Sequence, residues 1–201
     1  MTHVEQFENL IKNYFGSPYA IAVDCCTHAI ELCLRVTKPK KVSCPKKTYL
    51  SVPMTFSKLN IPWTWTDALW KDYYFIANTN IIDAAVFWKE NGYIKNTLMC
   101  LSFQFKKHLN LCRGGMILLD NKSQYDLLKK MRYDGRIDNK PWHEQQVDVL
   151  GYHYYMTPET AQLGLEKFEV AKNTNPKLWS YLDYPDLSEL PVFARNPSHA
   201  K

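Results

Sequence analysis

Apolar residues recur along this chain with two periods, and the switches between them mark out alternating helices and strands. Phe7, Leu10, Ile11 and Tyr14 repeat at helical spacing. Thr2 and Glu5 form a capping box in front of them, and Gly16 closes the segment. Residues 19–23 are a short apolar run of strand length, and Asp24-Cys25-Cys26-Thr27 then turns into a helix that carries Ile30 and Leu34 and ends near Thr37, before Pro39. Strands are predicted over 42–44 and 63–66, with an irregular helix over 49–59 interrupted by Pro53.

Further along, Ile81-Ile82 before Asp83, residues 99–103 and residues 116–119 are three more strand-length apolar runs. A helix is predicted over 123–132 and a polar, exposed excursion over 136–148. Thr157 as N-cap and Pro158 at the first helical position open a last helix bearing Leu163, Leu165 and Phe168. This alternation predicts a three-layer α/β/α domain over 1–172 with a mostly parallel sheet, followed by a proline- and aromatic-rich tail over 173–201 that wraps the surface. In such sheets ligands gather at the carboxyl ends of strands, so function is sought there.

The 201 residues are 46% hydrophobic and 22% charged, an ordinary globular composition that excludes disorder and a disulfide miniprotein. No apolar run approaches the roughly 18 residues needed to span a bilayer, and the amphipathic N-terminus lacks a signal-peptide core, so a cytoplasmic protein is expected. The six cysteines include no C-x-x-C pair and read as buried thiols. Cys25, Cys26 and His28 lie close in sequence, but their spacing supplies no further ligands, and no metal is expected. The net charge of +5 is spread over short lysine clusters rather than one stripe, so neither nucleic acid nor membrane is expected as a partner.

Three strand ends carry candidate chemistry. Asp24 to His28 opens a helix, where free N–H groups can hold a phosphate; Thr27 is also an ordinary N-cap. Asp83 ends an apolar strand, where a carboxylate needs a partner. Lys106 and Lys107 follow Ser102-Phe103 and precede Gly114-Gly115, a pair that lets backbone approach something closely. A lysine near buried surface can lose its proton and attack a carbonyl.

Together these segments resemble the DegT/DnrJ/StrS-type sugar aminotransferases, pyridoxal-phosphate enzymes of the aspartate-aminotransferase fold. The resemblance rests on five motifs in the family's order: Asp24-Cys25-Cys26-Thr27-His28-Ala29-Ile30; Pro45-Lys46-Lys47-Thr48-Tyr49; Ile82-Asp83-Ala84-Ala85; Ser102, Phe103, Lys107 and Leu109 running on to Gly114-Gly115-Met116; and Gly151 to Thr157 with Ala161 and Gly164. It implies that Lys107 is the lysine that joins the cofactor as a Schiff base and shuttles protons. Asp83 would keep the pyridine nitrogen protonated, and Tyr49 would stack on the ring. Cys26, Thr27, His28 and Ser102 would lie around the phosphate, with His153 reaching the phosphate of a second subunit in a homodimer. The implied reaction moves an amino group, usually from glutamate, to a keto group on a nucleotide-linked sugar.

The chain departs from the pattern at several positions. Cys26 stands where the phosphate turn has glycine, Val86 where a glutamine or histidine follows the aspartate, and His153 and Tyr155 replace an asparagine and an arginine. Cys112 and Arg113 stand where glycine and glutamate precede the glycine pair, and only residues 63–80 connect the third strand to the aspartate strand. Two other readings stay open from the sequence: a relative that binds the cofactor or a sugar nucleotide without transaminating, and a basic nucleic-acid module that keeps the fold.

Overall fold

Two apolar faces alternate along each central strand, and the computed structural model, which describes residues 1–194, buries both. Ile21, Val23, Cys100, Ile117 and Leu119 point to one side, while Ala20, Ala22, Leu101, Met116 and Leu118 point to the other. In chain order the elements are α1 (His3–Phe15), β1 (Tyr19–Val23), α2 (Cys26–Thr37), β2 (Val42–Pro45), α3 (Ser51–Lys58), β3 (Trp63–Thr66), β4 (Tyr74–Phe75) and β5 (Ile81–Asp83). They continue with β6 (Leu98–Ser102), β7 (Gly115–Leu119), α4 (Lys122–Met131), α5 (Pro158–Lys172) and α6 (Pro191–Ala194). Helices α1 and α5 cover one face of the main sheet; α2, α3 and α4 supply the apolar side chains of the other. The three layers are as expected.

The sheet itself corrects the expectation of a mostly parallel one. Its order is β1-β7-β6-β5-β4, and only β5 and β6 pair in parallel; β2 and β3 form a separate parallel pair. The cause is the connection between β6 and β7. It contains no crossover helix, and a chain that returns without one must run back antiparallel. Strands β1, β5 and β6 nevertheless point the same way, so their carboxyl ends and the start of β7 share one edge.

The helix ends follow the sequence closely. Thr2 and Glu5 form the capping box of α1, Gly16 closes it in the left-handed conformation (φ 73°), and Thr157 caps α5 ahead of Pro158. Pro53 does not interrupt α3. It lies in the first turn, where the N–H that proline lacks has no helical partner anyway. The stretch over 136–148 is an exposed excursion containing one 3-10 turn (Trp142–Glu144).

As an edge strand, β1 has a free side, and a buried ion pair occupies it. The Glu8 carboxylate accepts from the Ala22 N–H (2.8 Å), and the Arg132 guanidinium donates to the Ala22 carbonyl (2.6 Å) and to Glu8 (2.8 Å). A side-chain pair thus completes the hydrogen bonding that a neighbouring strand would supply.

Candidate active site

The shared strand edge opens into a cleft of about 330 Å³. Six of the eight residues singled out from the sequence line it: Cys26, Thr27, Tyr49, Asp83, Ser102 and Lys107. Its size is in the range of small-molecule sites.

The floor is built around Asp83, at the end of β5. This carboxylate is buried; Tyr74 donates to it at 2.6 Å, and the Ala85 N–H donates to its other oxygen at 3.0 Å. The Tyr74 hydroxyl is in turn 2.5 Å from Thr48 Oγ1. Burial raises the Asp83 pKa, and the bonds from Tyr74 and Ala85 together with the charge of Lys107 oppose that rise without cancelling it. Among the described residues no cation lies within ion-pair distance of Asp83.

Lys107 lies on the loop that joins β6 to β7. Backbone bonds between Phe103 and Gly114 (2.9 Å) and between Leu111 and Phe103 (2.8 Å) fold this loop, and buried Leu109 and Leu111 anchor it in the core. His108 ties it to the end of α5 through the Ala171 carbonyl (2.7 Å). Burial lowers the Lys107 pKa, Asp83 and Cys26 oppose that shift, and Lys106 adds to it. A larger share of this amine is therefore uncharged at neutral pH than for an open lysine.

The opposite wall is the start of α2. Cys25 is its N-cap in extended conformation and makes no side-chain cap bond, so Thr27 is not the cap. Thr27 sits inside the first turn with its hydroxyl 2.7 Å from Ser51 Oγ. Cys26 occupies an ordinary helical position, so the replacement of glycine costs no backbone strain there. Its buried thiol donates to the Cys100 carbonyl (3.6 Å).

His28 and His153 do not line the cleft. The His28 Nδ1 is 2.6 Å from Asp24, and its ring stacks on Tyr154 with centroids 3.6 Å apart. Burial works against its charged form, but the bonds with Asp24 and Cys25 outweigh burial and raise its pKa to about 9. Asp24 also accepts from Arg113 (2.7 Å); burial would raise its pKa, yet His28 and Arg113 hold it below the usual carboxylate range. Asp24, Cys25 and His28 converge within 4.8 Å, with the Arg113 cation already on the same carboxylate. His153 is exposed and pairs with Asp134 (2.9 Å) on the outside of the 151–157 segment.

Sequence reasoning missed Tyr74, Ser51 and Arg113 as parts of this site. Tyr74 belongs to a two-residue strand, too short to show any period, and its pairing with Asp83 comes from the β4–β5 register. Ser51 opens α3 with no motif around it, and Arg113 stands at a position where the resemblance supplied a different residue.

The fold is that of pyridoxal-phosphate aminotransferases of fold type I. AtS13 from Actinomadura melliaura superposes with a TM-score of 0.73 at 19% identity, over 85% of this chain and 60% of its own. The sugar aminotransferase CalS13 from Micromonospora echinospora gives 0.69 at 15%, over 85% and 61%. Spr1654 of Streptococcus pneumoniae, described as a sugar aminotransferase and solved in its PLP form, gives 0.71 at 16%, over 86% and 60%. This chain thus spans about six-tenths of the length of these structures. No curated protein matches the sequence significantly.

The chain belongs to the DegT/DnrJ/EryC1/StrS aminotransferase family, whose profile matches residues 2–72 and 84–196. The cofactor of that family's aminotransferases is pyridoxal phosphate. The unmatched stretch, 73–83, contains both Tyr74 and Asp83.

Proposed function

We propose that this protein is a cytoplasmic pyridoxal-phosphate aminotransferase that moves an amino group from glutamate to the keto group of a nucleotide-linked sugar. The observation that carries the reading is one cleft holding a largely desolvated amine, Lys107, and a buried acid with no cation within ion-pair distance, Asp83. The uncapped start of α2 forms another wall of the same cleft.

These residues fit the cofactor. The buried Asp83 carboxylate has a raised pKa and no cation within ion-pair distance, and a protonated pyridine nitrogen would supply one. The first-turn N–H groups of α2, with the Thr27 and Ser102 hydroxyls, would hold the phosphate. Cys26 would contribute its backbone N–H, because its buried thiol is already bonded to the Cys100 carbonyl. Tyr49, 57% exposed at the mouth, would cover one face of the ring. Bound pyridoxal phosphate supplies an aldehyde for amines and a ring that accepts electrons.

Asp83 would keep the ring nitrogen protonated, and Tyr74 and Ala85 keep Asp83 oriented. Lys107 would take the proton from the donor's α-carbon and deliver it to the cofactor carbon, a task suited to an amine whose pKa burial has lowered. His28 would act through the positive field of its ring beside the phosphate turn, since Asp24 and Tyr154 already hold that ring. His153, exposed on the 151–157 segment, would reach the site of a second copy in a homodimer.

The test is a single turnover. Protein loaded with pyridoxal phosphate is mixed with L-glutamate, and 2-oxoglutarate is expected in an amount equal to the bound cofactor; Asp83→Asn slows its release at least about 10²-fold. Tight cofactor binding with no oxoacid would instead identify a relative that has lost transamination. Absence of both would remove the reading.

A further inference from the structure

The segment after α5 brings to the cleft two aromatic rings that belong to no motif. Its path across the sheet edge is fixed by backbone bonds: Asp72 N–H to the Trp179 carbonyl (2.9 Å), Tyr181 N–H to the Trp70 carbonyl (3.1 Å) and Leu187 N–H to the Lys46 carbonyl (2.9 Å). Leu187 and Phe193 are buried in the core beneath it. The strap is therefore part of the domain, and what it carries inward has a defined place.

That place is beside both charged groups of the cleft. The Lys107 ammonium lies 5.3 Å from the centre of the Trp179 ring. Trp179 neighbours Tyr184 (6.1 Å), Tyr184 neighbours Trp70 (5.4 Å), and Trp70 neighbours Tyr74 (5.5 Å), whose hydroxyl donates to Asp83. A row of four rings thus runs from the amine to the acid. Burial, followed by the charge of Asp83, raises the pKa of the Tyr184 hydroxyl, which marks Tyr184 as a neighbour of the cleft floor.

We propose that Trp179 is a positioning residue for Lys107, holding the amine toward the cleft and excluding water from its strap side. The inference rests on Lys107 as the reactive amine of the proposed function. Another cation sits closer to the same ring: Lys177 lies 3.9 Å from its centre and is paired with Asp183 (2.7 Å). The ring's attraction for cations is thus chiefly spent on Lys177, and toward Lys107 it acts mainly as an apolar cover. Removing the cover hydrates Lys107, which favours its charged form.

Competitive acetylation of the full chain across pH, without added cofactor and with peptide mapping of Lys107, tests this. Trp179→Ala is expected to move the Lys107 titration upward by about one pH unit, so that its reactivity at neutral pH falls about tenfold. Trp179→Phe, which keeps an apolar ring, is expected to restore most of the wild-type titration. Where Trp179→Ala does not fold, Trp179→Gln serves as the second variant and is expected to show the same upward shift. A folded Trp179→Ala or Trp179→Gln chain with an unmoved Lys107 titration overturns the proposal. The readout needs no cofactor, so failure of the aminotransferase reading would show separately, as absence of a cofactor adduct in the wild type.

Discussion

A Cβ atom placed on Gly115 would lie 2.5 Å from the carbonyl carbon of Cys25 and 2.6 Å from the Cys26 nitrogen. The start of β7 is pressed against the backbone of the α2 turn, and this contact holds the first turn of α2 beside the Lys107 loop. Gly115→Ala must push backbone from backbone, a form of overpacking that costs typically about 1–3 kcal/mol. We expect a loss in that range in urea unfolding, with weakened cofactor affinity; unchanged stability would mean that the two segments can separate freely.

Cys112, exposed at the cleft rim, has φ 64°, the left-handed region that glycine adopts without strain. The conformation costs a side chain roughly 1–2 kcal/mol, while glycine adds about 0.5–1 kcal/mol of chain entropy to be lost on folding. Strain is the larger of the two. Cys112→Gly is therefore expected to stabilise the protein by about 0.5–1 kcal/mol in the same assay, and a loss of stability would contradict the backbone geometry.

The Glu8–Arg132 pair is buried on both sides. Arg132 is 2% exposed and also pairs with Asp138 (2.9 Å), which ties the excursion to the sheet edge. Removing Glu8 leaves the buried Arg132 with Asp138 as its one remaining acid and the Ala22 N–H without its acceptor, at a cost of about 1–3 kcal/mol. Glu8→Ala is expected to fall in that range, with increased proteolysis within 136–148. A loss below about 1 kcal/mol would show that β1 does not depend on the pair.

Stability should fall with rising pH because of His28. Its pKa is raised from the ordinary 6.5 to about 9, so its stabilisation is fully present below the unfolded value and is lost as pH rises through the folded one. Asp24 has the opposite sign: its lowered pKa contributes above the unfolded carboxylate value and is lost on acidification. His28→Phe keeps a ring on Tyr154 without the titration. Between pH 6.5 and 9.5 the wild type is expected to lose about 1–2 kcal/mol more than this variant, after allowance for the part of His28 that solvent reaches. Parallel pH profiles would remove His28 as the cause.

Much of the fold was legible because local signals and packing agree. Thr2, Glu5 and Gly16 delimit α1, and the short apolar run at Tyr19–Val23 is β1. Pro53 misled, because its effect depends on its place within the helix and not on its presence. Strand direction was hidden for a similar reason: the loop from Phe103 to Gly114 looks like any polar connection until its backbone pairs across itself. In the site, Lys107 and Asp83 could be found by motif, whereas Tyr74, Arg113 and the strap's Trp179 reach it only through tertiary contacts that leave no spacing in the sequence.

We propose Lys107 as the amine that joins the cofactor. Purified protein is mixed with pyridoxal phosphate, its absorption spectrum is recorded before and after borohydride, and the reduced adduct is located by peptide mass spectrometry. A visible band that borohydride abolishes, with the adduct on Lys107 and none in Lys107→Ala, is the predicted result. No band, or an adduct scattered over Lys106 and other exposed lysines, would contradict the account.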